Sequence, residues 1–319
     1  MTSVPVVASP FEDIDLPLGD RRTGKVRVSY TLDGGRRLLI TTDRLSALDR
    51  VVALVPYKGQ VLNQLAAWWF TQTRHIIPNH LVSVPDPNVT IAVDAKPLPV
   101  EVVVRGAITG NTSTSLWRQY AEGARTIYGH KFADGLTKDS LLPEPLITPT
   151  TKGDSGTHDE PLSLEDVVSR GLVNEGLWDA VKKSALALFA FGQERAKSAG
   201  LILADTKYEF GVDHEGRLLL IDEMHTPDSS RFWEAGTYEA RVANGEDPES
   251  LDKEPIRRAL SKMGYTGDGP PPKLSDDVIN ETTIRYVKAY ERITGSEFVP
   301  GTYPVGDRVI AALKSEGVL

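Results

Sequence analysis

The segment LADTKYEFG at residues 203–211 alternates charged and other side chains in a pattern that suits metal binding. Side chains two apart on a β-strand share a face, so Asp205, Lys207 and Glu209 point the same way. Carboxylate oxygens are the ligands that magnesium prefers, and a fixed ammonium group beside them attracts phosphate. The segment therefore predicts a site for magnesium and the phosphates of a nucleotide.

A second predicted strand follows the turn residues Asp213–Gly216 and brings further carboxylates. If those four residues form the hairpin loop, Val212 pairs with Arg217, and Lys207 lies opposite Asp222. A slip of one residue would place the next glutamate there instead. The same pattern also fits solvated charges on the outer face of an ordinary hairpin, and the residues alone leave both interpretations open.

Anion-binding side chains come directly after this hairpin. Residues 225–231, HTPDSSR, supply hydroxyl groups, the carboxylate of Asp228 and the side chains of Ser230 and Arg231. In addition, Arg105 ends a separate apolar strand and precedes a glycine. An arginine at a strand end suits bidentate recognition of a carboxylate or phosphate, although a surface arginine would give the same pattern.

The N-terminal part of the chain predicts a β-hairpin that starts at Gly24 and resumes as a second strand at residues 37–42. Lys25 and Arg27 share one face of the first strand and suit a lid over phosphates, although surface charges would look the same. Residues 42–49 are a predicted loop, dense in hydrogen-bonding groups, and such loops carry either function or turn chemistry.

Four helices are predicted from apolar residues at helical spacing, at about residues 59–74, 178–199, 276–294 and 306–315. Between them, residues 146–161 are mostly polar and predict a long mobile loop, either a lid that brings Lys152 and His158 over a site or a simple connector. We also expect an irregular arm at residues 1–20.

The composition excludes several classes of protein. The 319 residues carry a formal net charge of -8, which argues against nucleic acid or an anionic membrane as the main partner. The chain has no cysteine, so it has neither a disulfide framework nor a thiolate nucleophile. No segment has the length and apolarity of a membrane span, and no signal peptide is predicted. We therefore expect a soluble, cytoplasmic protein.

With these residues in view, nearly the whole chain resembles the SAICAR synthetase family, phosphoribosylaminoimidazole-succinocarboxamide synthase, in its longer variety. The resemblance rests on GKVR at 24–27, TTDRLSALD at 41–49, PLPVEVVVRGAITG at 97–110, ITPTTK at 147–152, LADTKYEFG at 203–211 and DEMHTPDSSRFW at 222–233. The last two segments are specific in combination, because acidic residues, a lysine and a PDSSR anion site recur in this order.

The resemblance implies an ATP-dependent ligase of purine biosynthesis with magnesium. This family joins the carboxylate of CAIR, carboxyaminoimidazole ribonucleotide, to the amine of L-aspartate. It also implies an α+β fold with a small β-rich N-terminal lobe, similar to a kinase N-lobe, at residues 1–96. The lobe would cover a larger α+β lobe at residues 97–319, with ATP in the cleft between them. The partners would be small molecules alone, bound to a monomer or a homodimer.

Each site residue receives a role from the same resemblance. Lys25 and Arg27 would lie over the ATP phosphates, the backbone around Lys96 and Leu98 would receive adenine, Glu209 and Asp222 would hold magnesium, and Lys207, Asp205 and Arg105 would act at the reacting groups. The substrate-binding residues would be Asp43, Ser46, Arg105, Ser113, Ser115, Asp228, Ser230 and Arg231. A small-molecule kinase and a non-catalytic nucleotide-binding module are the alternatives.

Two positions depart from the family pattern. Val28 stands where the family commonly has an aspartate after GKVR, so a polar role there is absent or moved. Asn111 follows Thr109-Gly110 where many members have serine. The family pattern therefore does not determine which hydroxyl group of residues 112–115 contacts the substrate.

Overall fold

A computed structural model describes residues 9–48, 50–152 and 160–319 of the chain. Its strands are β1 (Arg21–Thr23), β2 (Arg27–Leu32), β3 (Arg36–Thr41), β4 (Arg44–Ala47), β5 (Arg50–Leu54), β6 (Leu81–Asp86), β7 (Val89–Val93), β8 (Lys96–Ala107), β9 (Thr126–Ile127), β10 (His130–Lys131), β11 (Leu141–Thr151), β12 (Leu201–Val212), β13 (Leu218–Ile221) and β14 (Ser230–Glu234). Its helices are α1 (Lys58–Gln72), α2 (Leu116–Ala121), α3 (Leu164–Ser169), α4 (Glu175–Ser198), α5 (Ala235–Ala243), α6 (Glu254–Lys262), α7 (Asp276–Thr294) and α8 (Val305–Ser315). The predicted α+β class is confirmed.

The N-terminal sheet has the strand order β1-β2-β3-β7-β6, and neighbouring strands are antiparallel. Alternate residues of β2 and β3, such as Val28 and Ile40, are fully buried. The same apolar cluster takes in Phe11 from the preceding arm and Val309 from α8. The C-terminal helix therefore packs on the N-terminal sheet, although the resemblance placed it in the larger lobe.

The second sheet is built around β12. Strand β8 pairs along one edge of β12, while β14 and β13 pair with the first and second halves of its other edge. The outer strand β11 pairs with β8. Helix α4 covers this sheet and buries the predicted stripe, which includes Trp178, Leu188 and Phe189. Between the two sheets in sequence, β7 ends at Val93 and β8 begins at Lys96. The division into lobes at residue 96 stays a prediction.

The predicted helices are confirmed, and their ends follow capping chemistry. Helix α4 begins after Asn174, whose side chain accepts a hydrogen bond from the Leu177 N–H at 2.9 Å. Helix α7 ends at Gly295, which has a φ of 74°. Among the described residues, no helix is long and apolar enough to cross a membrane.

Three local predictions were wrong. The strand predicted from Gly24 begins at Arg27, so Lys25 lies in the turn after β1. The loop predicted at residues 42–49 holds strand β4, which forms a hairpin with β5. Residues 146–151, predicted as mobile, belong to β11, because they pair with residues 100–105 of β8 and residues 147–150 are all buried. The lid prediction for His158 lies outside the described residues.

The register of the central hairpin also differs by one residue from the first expectation. Val212 pairs with Leu218, and Glu209 pairs with Ile221. The loop is wider because Asp213 stabilises it: its carboxylate accepts hydrogen bonds from the Arg217 N–H at 2.9 Å and from the Arg217 Nε at 2.7 Å. The slipped register that the sequence allowed is therefore the one that forms.

We predict that Gly59→Ala destabilises the fold. A methyl group on Gly59 would lie 2.4 Å from the Thr41 carbonyl oxygen and 2.6 Å from the Asn88 amide nitrogen, so α1 and the N-terminal sheet would have to separate. Overpacking of this kind costs about 1–3 kcal/mol in the free energy of unfolding, which urea titration would measure. Gly176→Ala in α4 is the control, because its nearest contact is 3.8 Å away. Equal stability of the two variants would contradict the prediction.

Candidate active site

The first part of the site is a buried carboxylate between two arginines. Because β8 and β14 flank β12, Asp205 lies opposite Arg105 on one side and Arg231 on the other. Its Oδ2 atom lies 3.7 Å from the Arg105 Nη1 atom and forms an ion pair with the Arg231 Nη1 atom. Two guanidinium groups share one carboxylate here, so this cluster carries an excess positive charge that suits an anionic substrate.

Arg105 is held in place by further hydrogen bonds. Its Nε donates to the Thr148 hydroxyl at 2.8 Å, and its Nη2 donates to the Thr114 carbonyl at 3.1 Å. Burial lowers the pKa of Arg105, and the charge of Asp205 opposes that effect. For Arg231, the charge of Asp205 raises the pKa. The pairing of β12 with β8 and β14 therefore brings these three charged residues together.

The loop after β8 approaches this cluster at Gly110. A methyl group there would lie 2.6 Å from Ser115 Cβ and 3.5 Å from the Arg231 Nη2 atom, and Gly110 has a φ of 93° that favours glycine. The Ser115 hydroxyl donates to the Thr112 carbonyl at 2.6 Å, whereas Ser113 is exposed. The backbone thus brings the hydroxyl-rich loop beside the arginine pair, and its substrate contacts stay predictions.

The hydroxyl group of Ser230 faces the neighbouring strand. Its Oγ atom lies 2.8 Å from the Thr206 Oγ1 atom, and the residue is buried. Ser230 therefore joins β14 to β12 beside the arginines, and its predicted contact with substrate stays a prediction.

A second cluster lies farther along β12. The Lys207 ammonium group is 2.6 Å from a carboxylate oxygen of Glu101 and 3.3 Å from one of Glu209. Lys152, which follows β11, forms another ion pair with Glu209. Although burial lowers the pKa of Lys207, the charges of Glu209 and Glu101 raise it more strongly. Asp205, Lys207 and Glu209 lie along one strand as predicted, and Lys207 is a fixed cation.

Glu101 is the residue of this cluster that the sequence reasoning missed. It lies on β8 directly opposite Glu209, between apolar neighbours of the same strand. The sequence does contain an indication of this residue. Glu101 is a single carboxylate within the apolar run that ends at Arg105, and it precedes Arg105 by four residues. Residues four apart on a strand share a face, so the two charges point to the same side.

The third part of the site joins the N-terminal sheet to the end of β13. Asp222 has a φ of 68°, so the strand ends there and the chain turns. The Arg27 Nη1 atom forms an ion pair with Asp222, and its Nη2 atom lies 3.0 Å from Glu223. Burial raises the pKa of Asp222, but the Arg27 charge, followed by that of Lys207, holds it below its usual value. Arg27 is therefore placed at the predicted metal-binding carboxylate.

Glu209 and Asp222 suit a magnesium ion that is held mainly by phosphates and water. Both carboxylates have positively charged partners, which a bound cation would replace. Within the described ranges, no group of three or more histidine, cysteine, aspartate or glutamate side chains could hold a metal. Magnesium commonly binds through one or two carboxylates together with substrate phosphates, so the residues fit that mode rather than a closed protein cage.

Asp228 has a different environment from the one expected of a substrate ligand. It lies 2.8 Å from the Lys58 ammonium group, which is fully buried, and accepts a hydrogen bond from the Tyr286 hydroxyl at 2.5 Å. Burial raises the pKa of Asp228, but Lys58 and then Lys253 hold it well below its usual value. The carboxylate therefore joins helices α1 and α7 to the PDSSR segment.

Asp43 is likewise an internal anchor. Its side chain is fully buried and accepts hydrogen bonds from the Gly59 N–H at 3.0 Å, the Phe11 N–H at 2.8 Å and the Tyr303 hydroxyl at 2.7 Å. The carboxylate is enclosed by these protein groups, and its predicted contact with a ribonucleotide stays a prediction. Asp43 connects the N-terminal arm, α1 and the segment before α8.

The remaining predicted residues are Ser46, Lys96, Leu98 and Lys25. Ser46 is half-buried on β4, and its carbonyl oxygen accepts a hydrogen bond from the Lys253 ammonium group at 3.0 Å. Lys96 is exposed and Leu98 half-buried at the start of β8. The predicted adenine contact there, and the phosphate contact of Lys25, stay predictions.

His225 is a buried group that supports the segment carrying Asp222 and Arg231. Its Nε2 atom lies 3.0 Å from the Tyr208 hydroxyl, and its ring centre is 4.8 Å from that of Trp69. A methyl group on Gly192 would lie 2.6 Å from the same nitrogen, so α4 needs glycine at that position.

Comparison with known proteins agrees with this geometry. The family model described as SAICAR synthetase matches residues 20–272. A phosphoribosylaminoimidazole-succinocarboxamide synthase of Legionella pneumophila is 49% identical over 303 residues, which is 93% of this chain and 96% of that protein. A putative enzyme of the same name from Agrobacterium fabrum is 49% identical over 277 residues, 87% of this chain and 88% of that protein.

Solved structures give the same result. A SAICAR synthase from Saccharomyces cerevisiae complexed with SAICAR has a TM-score of 0.76 at 34% identity, covering 89% of this chain and 96% of that one. A SAICAR synthetase in complex with ADP has a TM-score of 0.67 at 25% identity, covering 88% of this chain and all of that one (100%).

We predict that His225 makes the protein less stable as the pH falls. Burial lowers the pKa of His225 from 6.5 to about 3, so between these values the unfolded chain takes up a proton that the folded chain does not. The free energy of unfolding should then fall with pH below 6.5, by up to about 1.4 kcal/mol per pH unit from this residue. His225→Phe should make that slope shallower in urea titrations between pH 5 and pH 7. An unchanged slope would contradict the prediction.

Proposed function

The chain belongs to the SAICAR synthetase family, and we propose that it catalyses the ATP-dependent joining of CAIR to L-aspartate. The carboxylate of CAIR and the amine of aspartate form an amide, and ATP becomes ADP and phosphate. The observation that carries the proposal is the line of charged side chains on β12, Asp205, Lys207 and Glu209, in a chain of this family. This line of side chains joins a site where arginines would bind an anion to a site where carboxylates would bind a metal–nucleotide.

The chemistry explains why ATP is needed. A carboxylate does not condense with an amine in water, because an oxide ion is a poor leaving group. Transfer of the γ-phosphoryl group breaks its bond to ADP and forms a bond to a carboxylate oxygen of CAIR, giving an acyl phosphate. The aspartate nitrogen then attacks the carbonyl carbon, phosphate leaves with the electron pair of the broken carbon–oxygen bond, and the nitrogen loses a proton. The protein's main task is to position anions and balance their charge.

The arginine cluster is placed to hold an anionic substrate. Arg105 and Arg231 share Asp205, so together they retain positive charge, and the Gly110 turn lets the backbone approach. Fixed guanidinium groups bind carboxylate or phosphate without reorganising during the reaction. We assign this cluster to CAIR or to the carboxylates of aspartate.

The carboxylate cluster is placed for the nucleotide. Glu209 and Asp222 would hold magnesium, which neutralises phosphate charge when bound. Lys207 places an ammonium group beside these carboxylates, where it would neutralise the phosphoryl group during transfer. Arg27 comes from the N-terminal sheet to the same place and would contact phosphates once Asp222 turns to the cation.

Several finer points belong to the same proposal. We propose that the reaction takes place in the cytoplasm, in a monomer or a homodimer. We also propose that the segment around residues 148–160 keeps water from the acyl phosphate, although its central part lies outside the described residues.

The direct test is ADP release with ATP, magnesium and CAIR, with and without L-aspartate, together with mass detection of the product. We expect ADP and the condensed product in equal amounts, and only with aspartate. A phosphorylated product that forms without aspartate would instead identify a kinase. Nucleotide binding without turnover would identify a binding module.

We predict that Glu209→Gln and Asp222→Asn each lower kcat by about 100-fold or more, because each removes charge that holds the metal–nucleotide. Both should also raise the magnesium concentration needed for half-maximal rate. Asp33→Asn, in the exposed turn between β2 and β3, is the control and should leave both values unchanged. A near-normal rate in either test variant would remove that residue from the magnesium site.

A further inference from the structure

Two like-charged residues face each other at the centre of the second sheet. Glu101 on β8 and Glu209 on β12 are direct partners in an antiparallel pair. Like charges directly opposite each other destabilise a sheet, unless a cation lies between them. Lys207 supplies that cation, because it lies two residues before Glu209 on the same face and reaches Glu101 diagonally across the strands.

The two carboxylates are not equivalent partners of Lys207. The ammonium group is 2.6 Å from Glu101 and 3.3 Å from Glu209. Glu209 has a second ammonium partner in Lys152, which reaches it across the middle strand. The closer contact of Lys207 is therefore with Glu101, and Glu209 is the carboxylate whose charge two lysines share.

The side chains are partly buried, so their charges matter to one another. The exposed fraction is 14% for Glu101, 12% for Glu209 and 33% for Lys207. Removing a carboxylate from water is costly, and a sheet position among apolar neighbours would be filled at lower cost by an uncharged residue. The fold alone therefore does not explain a glutamate at position 101, whereas its contact with Lys207 gives this side chain a role.

We propose that Glu101 is a positioning residue, which holds the ammonium group of Lys207 in place when Glu209 turns to the metal–nucleotide. Lys207 would otherwise lose a carboxylate partner at the moment its charge is needed, and its long stem adopts many conformations. Glu101 itself touches neither the nucleotide nor the metal in this account. The inference rests on the proposed function, because it assigns Lys207 to the phosphoryl group.

The test separates positioning of Lys207 from metal binding. The variants are Glu101→Gln, which keeps the shape and removes the charge, and Glu209→Gln, which removes a proposed metal ligand. Binding of Mn²⁺ in the presence of ADP, followed by electron paramagnetic resonance, gives a readout that does not need turnover. Glu144→Gln, at an exposed glutamate of β11, is the matched control.

We expect Glu101→Gln to lower kcat by about 10- to 100-fold, as loss of a supporting partner typically does. Its affinity for Mn²⁺ with ADP should stay within about twofold of the unchanged protein, because Glu101 is not a ligand. Glu209→Gln should weaken both, and Glu144→Gln neither. Weaker Mn²⁺ binding in Glu101→Gln would overturn the proposal by making Glu101 a ligand, and a normal kcat would overturn it as well.

A double-mutant cycle tests whether Glu101 acts through Lys207 alone. In a Lys207→Met background, adding Glu101→Gln should change kcat no further, since the group to be positioned is gone. A further loss of the same size as in the single variant would contradict the proposal. If circular dichroism shows that Glu101→Gln does not fold, Glu101→Asp replaces it. The shorter side chain retains the negative charge but moves it away from the Lys207 ammonium group, and the same outcomes are expected.

The failure of this inference is distinguishable from failure of the proposed function. If the unchanged protein makes no product with aspartate, the proposed function is wrong, whatever the variants do. If it makes product and Glu101→Gln is fully active, only the role of Glu101 is wrong.

Discussion

The structure depends on the antiparallel pairing of β12 with strands on both of its edges. That pairing places Asp205 between Arg105 and Arg231, so that one buried carboxylate is shared by two guanidinium groups. Removing the carboxylate would leave the buried Arg105 and the half-buried Arg231 without their shared counter-charge, which is more costly than the loss of one surface ion pair. The same pairing places Glu101 directly opposite Glu209, farther along β12. The Lys207 ammonium group contacts both carboxylates. One strand thus carries residues of both the proposed anion site and the proposed metal–nucleotide site.

Charged side chains of strand β2 and helix α1 join the N-terminal sheet to the segment that follows β13. Arg27 reaches Asp222 and Glu223, and Lys58 at the start of α1 reaches Asp228. These contacts connect the two sheets through carboxylates near the proposed nucleotide site. In the proposed function, a cation that binds Asp222 would release Arg27 toward the phosphates. The Lys58–Asp228 pair, by contrast, is buried within the protein and joins α1 to the PDSSR segment.

Much of the site follows from local sequence patterns. Alternation along β12 predicts that Asp205, Lys207 and Glu209 share a face, and helical spacing predicts α4 and α7 with their ends. These predictions succeed because period and capping are properties of neighbouring residues. The sequence left the register of the hairpin open by one residue. The register depends on the hydrogen bonds that Asp213 accepts within the loop, and a periodic pattern of side chains does not predict these bonds.

Other features of the site depend on contacts that are distant in sequence. The interior positions of Asp43 and Asp228 depend on partners such as Tyr303 and Lys58, which no local pattern indicates, and the substrate contacts of both residues stay predictions. Glu101 was missed because the lysine that it contacts comes from a strand about a hundred residues later. Tertiary pairing, rather than local pattern, decides whether a charged residue faces a substrate or another side chain.

The proposed reaction activates the carboxylate of CAIR by phosphoryl transfer. A decisive measurement supplies CAIR with a heavy oxygen isotope in its carboxylate and follows the products by mass spectrometry. We expect one labelled oxygen in the released phosphate and the other in the amide carbonyl of the product. Release of unlabelled phosphate, with both labelled oxygens lost or retained elsewhere, would contradict it.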